Sequence, residues 1–241
     1  MSGRAARYGQ DAIIGADMAA EEINQAGGVL GREVRLYCSD YRSDPTYAVR
    51  LAQRYIDHDR VHFLAGVVSS AVALAVTRVA HERRVIFVGT DHASSRLTLE
   101  DFHPYYFRVT NNTMQSMRAG ASYLADKDIT TWAFIGPDYE YGHRQFAEFR
   151  EYFGTLRPDT RLVGALWPKL YAPTYREYLD QLAAWRPDVL IHGFWGGDSV
   201  AFLRELVQTR LLDTTAVMSF DAGGNFDVFE ALGPQMPAGL V

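Results

Sequence analysis

Residues 63–98, FLAGVVSSAVALAVTRVAHERRVIFVGTDHASSRLT, decide how the chain is read. An apolar run over 63–68 stops at Ser69-Ser70. An Ala/Val-rich helical segment then reaches Arg84, and a second apolar run, 85–88, opens into Gly89-Thr90-Asp91-His92-Ala93-Ser94-Ser95. Two short apolar runs joined by one helix form a βαβ unit with parallel strands. Ligands of open α/β sheets sit beyond the carboxyl ends of the strands, where both polar clusters fall. Ser69 and Ser70 also stand at a helix start, whose free N–H groups and dipole suit an anion, especially a carboxylate. Helix capping is the competing use of a serine there.

Working outward, residues 10–26 carry Ile13, Ile14, Met18, Ala19 and Ile23 near helical spacing, and Gly27-Gly28 ends that helix. Val34 and Leu36 alternate with charged residues, as a strand over 33–38 would. Asp44-Pro45 opens a helix to Asp57. Downstream the pattern predicts a strand at 105–109, a polar link at 110–113 and a helix at 114–126. Strands follow at 132–135, 161–167, 189–192 and 216–219, with helices at 143–153, 175–185, 199–210 and 226–232. Residues 136–142, 193–198 and 221–225 read as loops. Such alternation means parallel sheets covered by helices. The polar link is the crossover between two of them, dividing the chain into lobes at 1–113 and 114–241.

The totals limit the function. With 48% hydrophobic and 22% charged residues, the 241-residue chain has the composition of a soluble globular protein. Its net charge of −5 argues against a nucleic-acid partner. No apolar run approaches the ~20 residues of a membrane span, so no direct membrane insertion is expected. The first residues, MSGRAARYGQDA, lack the apolar core of a signal peptide. Cys38, the single cysteine, excludes an intrachain disulfide and reads as a packing residue. Among the seven histidines no helical i, i+4 pair occurs; His58 and His62 lie across a turn, so no metal site is expected. No hydrolase elbow, phosphate loop or dinucleotide fingerprint is present, and Gly27-Gly28-Val-Leu-Gly31 follows a helix rather than a strand. The reading is therefore no enzyme and no cofactor. The one remote exception is a hydrolase with Ser70 as nucleophile, Asp91 as orienter and His92 as base.

The run Ala20-Glu-Glu-Ile-Asn-Gln-Ala-Gly-Gly-Val-Leu-Gly-Arg32 resembles the first helix and turn of the periplasmic binding proteins for branched-chain amino acids, the type I solute-binding subunits of ABC importers. The resemblance continues through Asp40, Asp44-Pro45, Gly66-Val-Val-Ser-Ser70 and the 138–142 loop ending in Tyr141-Gly142. It implies a two-lobe α/β fold, each lobe a parallel sheet flanked by helices. Compared with the family, only seven residues precede Tyr8-Gly9 and the chain stops just past Leu240. Lobe 1 is accordingly expected to lack its first strand and closing elements, a truncation at both ends.

The resemblance also implies a site. Ser70, with Ser69 beside it, takes the family's ligand-carboxylate position. Asp91, His92 and Ala93 fall where the family supplies backbone groups and a threonine hydroxyl; Ala93 lacks that hydroxyl, which weakens the amino-acid reading more than the carboxylate one. His92 alternatively reads as an exposed loop histidine. Tyr8 and Tyr141 match aromatic walls from the two lobes. Trp195, in a Gly-flanked loop, reads as an exposed pocket residue. Asp221 matches the acidic partner of the ligand ammonium, while Asn225 is better placed to cap the following helix.

The implied function is capture of a small carboxylate-bearing ligand in the interlobe cleft, first of all a hydrophobic or branched-chain amino acid, by a monomeric, periplasmic receptor serving ABC permease subunits. An aromatic carboxylate- or amide-binding receptor, or a cytoplasmic sensor of the same fold, is the alternative.

Overall fold

Short runs of aromatic and branched residues build the first sheet. Strands β1 (Phe63–Gly66), β2 (Ile86–Gly89) and β3 (Tyr106–Arg108) lie in that order, all parallel, with Leu64 opposite Phe87 and Phe87 opposite Tyr106. The computed structural model describes residues 5–221 and 225–237. Residues 222–224, within the loop expected at 221–225, and the chain end with Leu240 lie outside them. Leu64, Phe87 and Tyr106 share a buried core with Ala48 and Ala52 of α2 (Pro45–Asp57) and Val72, Val76 and Val79 of α3 (Ser70–Arg83). Asp44 caps α2, accepting from the Tyr47 amide at 3.0 Å, and Pro45 occupies the first turn, where its missing N–H costs nothing. Strand side chains alternate between faces. Phe63 and Phe107, out of phase with the core set, are accordingly exposed.

Helix α1 (Ala6–Gln25) forms where the apolar spacing predicts, and Gly27 and Gly28, both at positive φ, turn the chain out of it. Its Ile13, Ile14, Met18 and Ile23 are nevertheless exposed; only Gly9 and Ala20 are buried. The strand expected at 33–38 is a correction. Among the described residues, 33–40 have no ladder partner, and a strand exists only through its neighbour's hydrogen bonds. The Asn24 side chain substitutes locally, donating to the Val34 carbonyl at 3.0 Å and accepting from the Val34 amide at 2.7 Å. Cys38, on this unpaired segment, is exposed rather than packed.

The second sheet has β4 (Thr131–Ile135), β5 (Arg161–Leu166), β6 (Val189–His192) and β7 (Ala216–Met218) in the parallel order β5-β4-β6-β7. Both faces are covered, as the near-continuous apolar strands require. On one face Trp132, Phe134, Val189, Ile191 and Met218 pack with Met117, Ala121 and Leu124 of α4 (Thr113–Ala125) and Phe149 and Phe153 of α5 (Glu140–Leu156). On the other, Ala133, Ile135, Leu190 and Val217 meet α6 (Arg176–Trp185), α7 (Gly196–Leu206) and α8 (Phe226–Leu232) through Leu179, Leu182, Phe202, Leu203 and Val228.

The chain divides into two units: unit 1 holds Met1–His92 and Arg96–Thr110, unit 2 holds Ala93–Ser95 and Asn111–Val241. It thus enters unit 2 at Ala93, returns at Arg96, and crosses again after Thr110, three residues ahead of the boundary drawn from the sequence. Two loop assignments need correction. Glu140 already begins α5, so Tyr141 and Gly142 are helical; Gly196 begins α7. Gly142 marks close packing rather than a loop: a Cβ there would lie 2.2 Å from the Pro137 carbonyl oxygen.

Candidate functional site

In unit 1 the candidate groups cluster after β1. Ser69 is the N-cap of α3, but its side chain makes no capping hydrogen bond, and Ser70 opens the helix; both serines are buried. The turn delivering them is strained. Gly66 and Val67 both have positive φ, 96° and 70°, and a β-branched residue in that region is a genuine outlier. Two polar groups hold the turn. Tyr41 accepts the Val68 amide at 2.9 Å, and His92 Nδ1 lies 2.7 Å from the Val67 carbonyl oxygen.

His92 is not the exposed loop histidine that the sequence suggests; it is buried, with both ring nitrogens engaged. The Val67 carbonyl can only accept, so Nδ1 carries the proton. Desolvation by burial lowers the His92 pKa to about 4, opposed by the Val67 bond and reinforced by Arg108, so the ring is neutral at pH 7. Nε2 then accepts from the Tyr106 hydroxyl at 2.8 Å, and that oxygen accepts from Arg108 Nε at 3.3 Å. Donation therefore runs from Arg108 to Tyr106, from Tyr106 to His92, and ends at the Val67 carbonyl. With its nitrogens so committed, His92 has none to offer Ser70, and the remote nucleophile–base arrangement is not assembled. Asp91 is half-buried, and Tyr8 is half-buried in the first turn of α1.

In unit 2 the candidate groups lie around α5. Tyr141 is buried and its hydroxyl donates to Asp221 Oδ2 at 2.9 Å. Gln145 Nε2 reaches the same oxygen at 3.5 Å, and Asn111 Nδ2 donates to Oδ1 at 3.3 Å. Burial raises the Asp221 pKa; the bonds from Tyr141, Asn111, Gln145 and Ser116 only partly offset it. Asp221 is thus surrounded by neutral donors. Trp195, expected to be exposed, is buried as the N-cap of α7, with its indole N–H donating to the Tyr139 hydroxyl at 3.0 Å. Flanking glycines let the backbone turn there, and the polar indole tip gains a partner when covered. Asn225 takes the N-cap of α8 without a side-chain capping bond. Ala93 is buried, and its carbonyl accepts the Thr113 amide at 2.8 Å.

Sequence reading missed Tyr41, Tyr106, Asn111, Ser116, Tyr139 and Gln145. Two of them carried a readable signal. Gln145 follows Tyr141 by four residues, hence on the same helix face, and Tyr106 and Arg108 are two apart on one strand face. The others depend on tertiary approach.

A profile of the periplasmic binding protein family matches residues 1–239. The Leu/Ile/Val-binding protein BraC3 of Rhizobium johnstonii is 35% identical over 98 residues, 41% of this chain and 26% of that protein. Among solved structures, a solute-binding protein of an ABC transporter from R. palustris in complex with benzoate superposes with a TM-score of 0.88 at 21% identity, over 97% of this chain and 63% of that one. An amino acid ABC transporter substrate-binding protein from Pseudomonas fluorescens Pf-5 gives a TM-score of 0.84 at 25% identity, over 100% of this chain and 63% of that one. The chain therefore spans about a quarter of the curated relative and under two thirds of the structural neighbours. By the match along nearly its whole length, the chain belongs to the periplasmic binding protein family.

Proposed function

We propose that this chain is the ligand-capturing part of a periplasmic solute receptor for an ABC importer, and that it takes a small carboxylate-bearing ligand. The observation that carries the reading is the Val67–Ser70 turn. A β-branched residue is held in left-handed backbone by a buried histidine, directly ahead of two serines at a helix N-terminus. Such backbone strain costs about 1–3 kcal/mol and persists where the surroundings over-determine it, characteristically at binding loops. The Ser69 hydroxyl is not spent on capping the helix, and a serine pair at a helix N-terminus is the kind of group that receives a carboxylate.

A hydrophobic or branched-chain amino acid is the first ligand class, in keeping with the Leu/Ile/Val-binding relative. Unit 2 would then offer Tyr141 and Trp195 as aromatic groups and Asp221 to the ammonium. A specific observation favours the second class, an aromatic monocarboxylate such as the benzoate of the R. palustris neighbour. Asp221 already accepts from three neutral side chains, on both of its oxygens, which leaves it less acceptor capacity for a ligand ammonium. The partner in either case is the importer's membrane permease.

Thermal-shift screening of the full chain against amino acids, aromatic acids and short amides tests this. At a hundredfold excess over Kd, one bound ligand adds about 2.7 kcal/mol of stability. A shift lost in both Ser70→Ala and Asp221→Ala supports the amino acid, and one lost in Ser70→Ala alone supports the simple carboxylate. No shift with any compound overturns the receptor reading.

A further inference from the structure

Helix α5 carries two polar stripes. Tyr141 and Gln145, four residues apart, reach Asp221. Glu140, Arg144 and Glu148, also at spacings of four, form the adjoining stripe and bond the Ala93–Ser95 segment. Ser94 Oγ donates to Glu140 Oε1 at 2.9 Å, and Ser95 Oγ donates to Glu148 Oε1. Arg144 Nε donates to Ser95 Oγ at 2.7 Å and to Glu148 Oε1 at 2.9 Å. The start of α4 grips the same three residues, because the Thr113 amide donates to the Ala93 carbonyl and Thr113 Oγ1 accepts the Ser95 amide at 3.3 Å. All of Ala93, Ser94 and Ser95 are buried. A three-residue stretch with side chains this small buries little apolar surface; polar bonds are what fix it.

We infer that the Glu140–Arg144–Glu148 stripe is a positioning device for the ligand site: it sets the Ala93 corner of the ligand loop in register with Tyr141 and Asp221. The inference rests on the receptor reading above. One rigid helix carries both stripes, so a displacement of Ser95 from Glu148 shifts Ala93 against Tyr141 on the neighbouring face. Binding groups must hold their geometry to about 0.5 Å, and buried second-layer hydrogen bonds are the usual means. Glu148 is the centre of this layer, since its Oε1 takes both the Ser95 hydroxyl and Arg144.

The test uses the full chain and two probes, L-leucine and benzoate, titrated calorimetrically into wild type, Ser95→Ala, Glu148→Ala and Glu148→Gln. Ser95→Ala and Glu148→Ala are expected to weaken binding of whichever probe the wild type takes about tenfold. Glu148→Gln, which keeps an acceptor oxygen in place, should stay within about threefold of wild type. In ligand-free protein, Ser95→Ala should also speed hydrogen exchange of the Thr113 amide about tenfold. Wild-type affinity in Ser95→Ala and Glu148→Ala overturns the inference while leaving the receptor reading intact, as does a Glu148→Gln variant no better than Glu148→Ala. A wild type that binds neither probe counts against the ligand classes proposed, and unchanged Thr113 exchange in Ser95→Ala then overturns the positioning role independently.

Discussion

His92 illustrates how far a single residue can be read from sequence. Its place in the polar segment after β2 is legible; its role is not, because that depends on Tyr106 and Arg108 from another strand and on Val67 from a third segment. Truncation to alanine leaves the Tyr106 hydroxyl and the Val67 carbonyl without their buried partner, at a cost of about 1–3 kcal/mol per orphaned group. Asparagine places an amide N–H where Nδ1 stood and retains the Val67 bond. Urea denaturation should therefore rank stability as wild type, His92→Asn, His92→Ala. The midpoint loss in His92→Asn should be the smaller by at least half, and equal losses would mean that the Val67 bond does not hold the turn. Asp221 shows the same limit from the other side. Its position was readable, but only the approach of Asn111, Tyr141 and Gln145 reveals that neutral donors surround it.

Elements were more legible than residues wherever burial followed the local pattern. Helix α2 and strand β6 have the bounds that Asp44-Pro45 and the Val189–His192 run predict, since a cap and a fully buried strand leave unmistakable local signals. The misreadings cluster at glycines. Gly142 and Gly196 read as loop markers, yet each sits in the first turn of a helix: close packing against Pro137 selects glycine at 142, and a positive φ of 49° favours it at 196. At this scale α5 offers a stability prediction separate from its positioning role. Glu148 is almost wholly buried, its Oε2 has no hydrogen-bond partner, and Arg144 is its ion-pair partner. Removing one member of a buried pair strands the other, typically at 3–5 kcal/mol, whereas replacing both by apolar residues is often nearly neutral. Arg144→Met should lower stability by about that amount in chemical denaturation, and Arg144→Met/Glu148→Met should recover most of the loss. A double variant as unstable as the single one would mean that the packing of the arginine stem, not its charge, is what matters.

For the molecule as a whole, the two-unit α/β organisation was legible because β-α alternation repeats along the chain. Exposure was not: the spacing of Ile13, Ile14, Met18 and Ile23 says that a helix has an apolar face, and says nothing of whether anything covers it. Acid response is a property of both units together. Each holds a deeply buried histidine that burial keeps neutral, His92 with a pKa of about 4 in unit 1 and His192 with a pKa of about 3 in unit 2, and burial lowers the pKa of His103 in unit 1 as well. In the unfolded chain each returns to about 6.5. The folded state therefore binds fewer protons than the unfolded state between those values. Stability is fully present above pH 6.5 and falls as the pH drops toward 4 for His92 and toward 3 for His192, each at up to about 1.4 kcal/mol per pH unit. His192 differs from His92 in that neither ring nitrogen has a partner; it lies among Phe194 and Phe202 at the end of β6. Replacing it by leucine removes two unsatisfied buried groups and one titration without emptying the core. His192→Leu should match or exceed wild-type stability at pH 7, and its advantage should widen steadily from pH 6.5 to pH 4 in urea denaturation followed by circular dichroism. A constant offset across that range would mean that His192 is not titrating on unfolding, and that a buried water or another group satisfies it in the folded state.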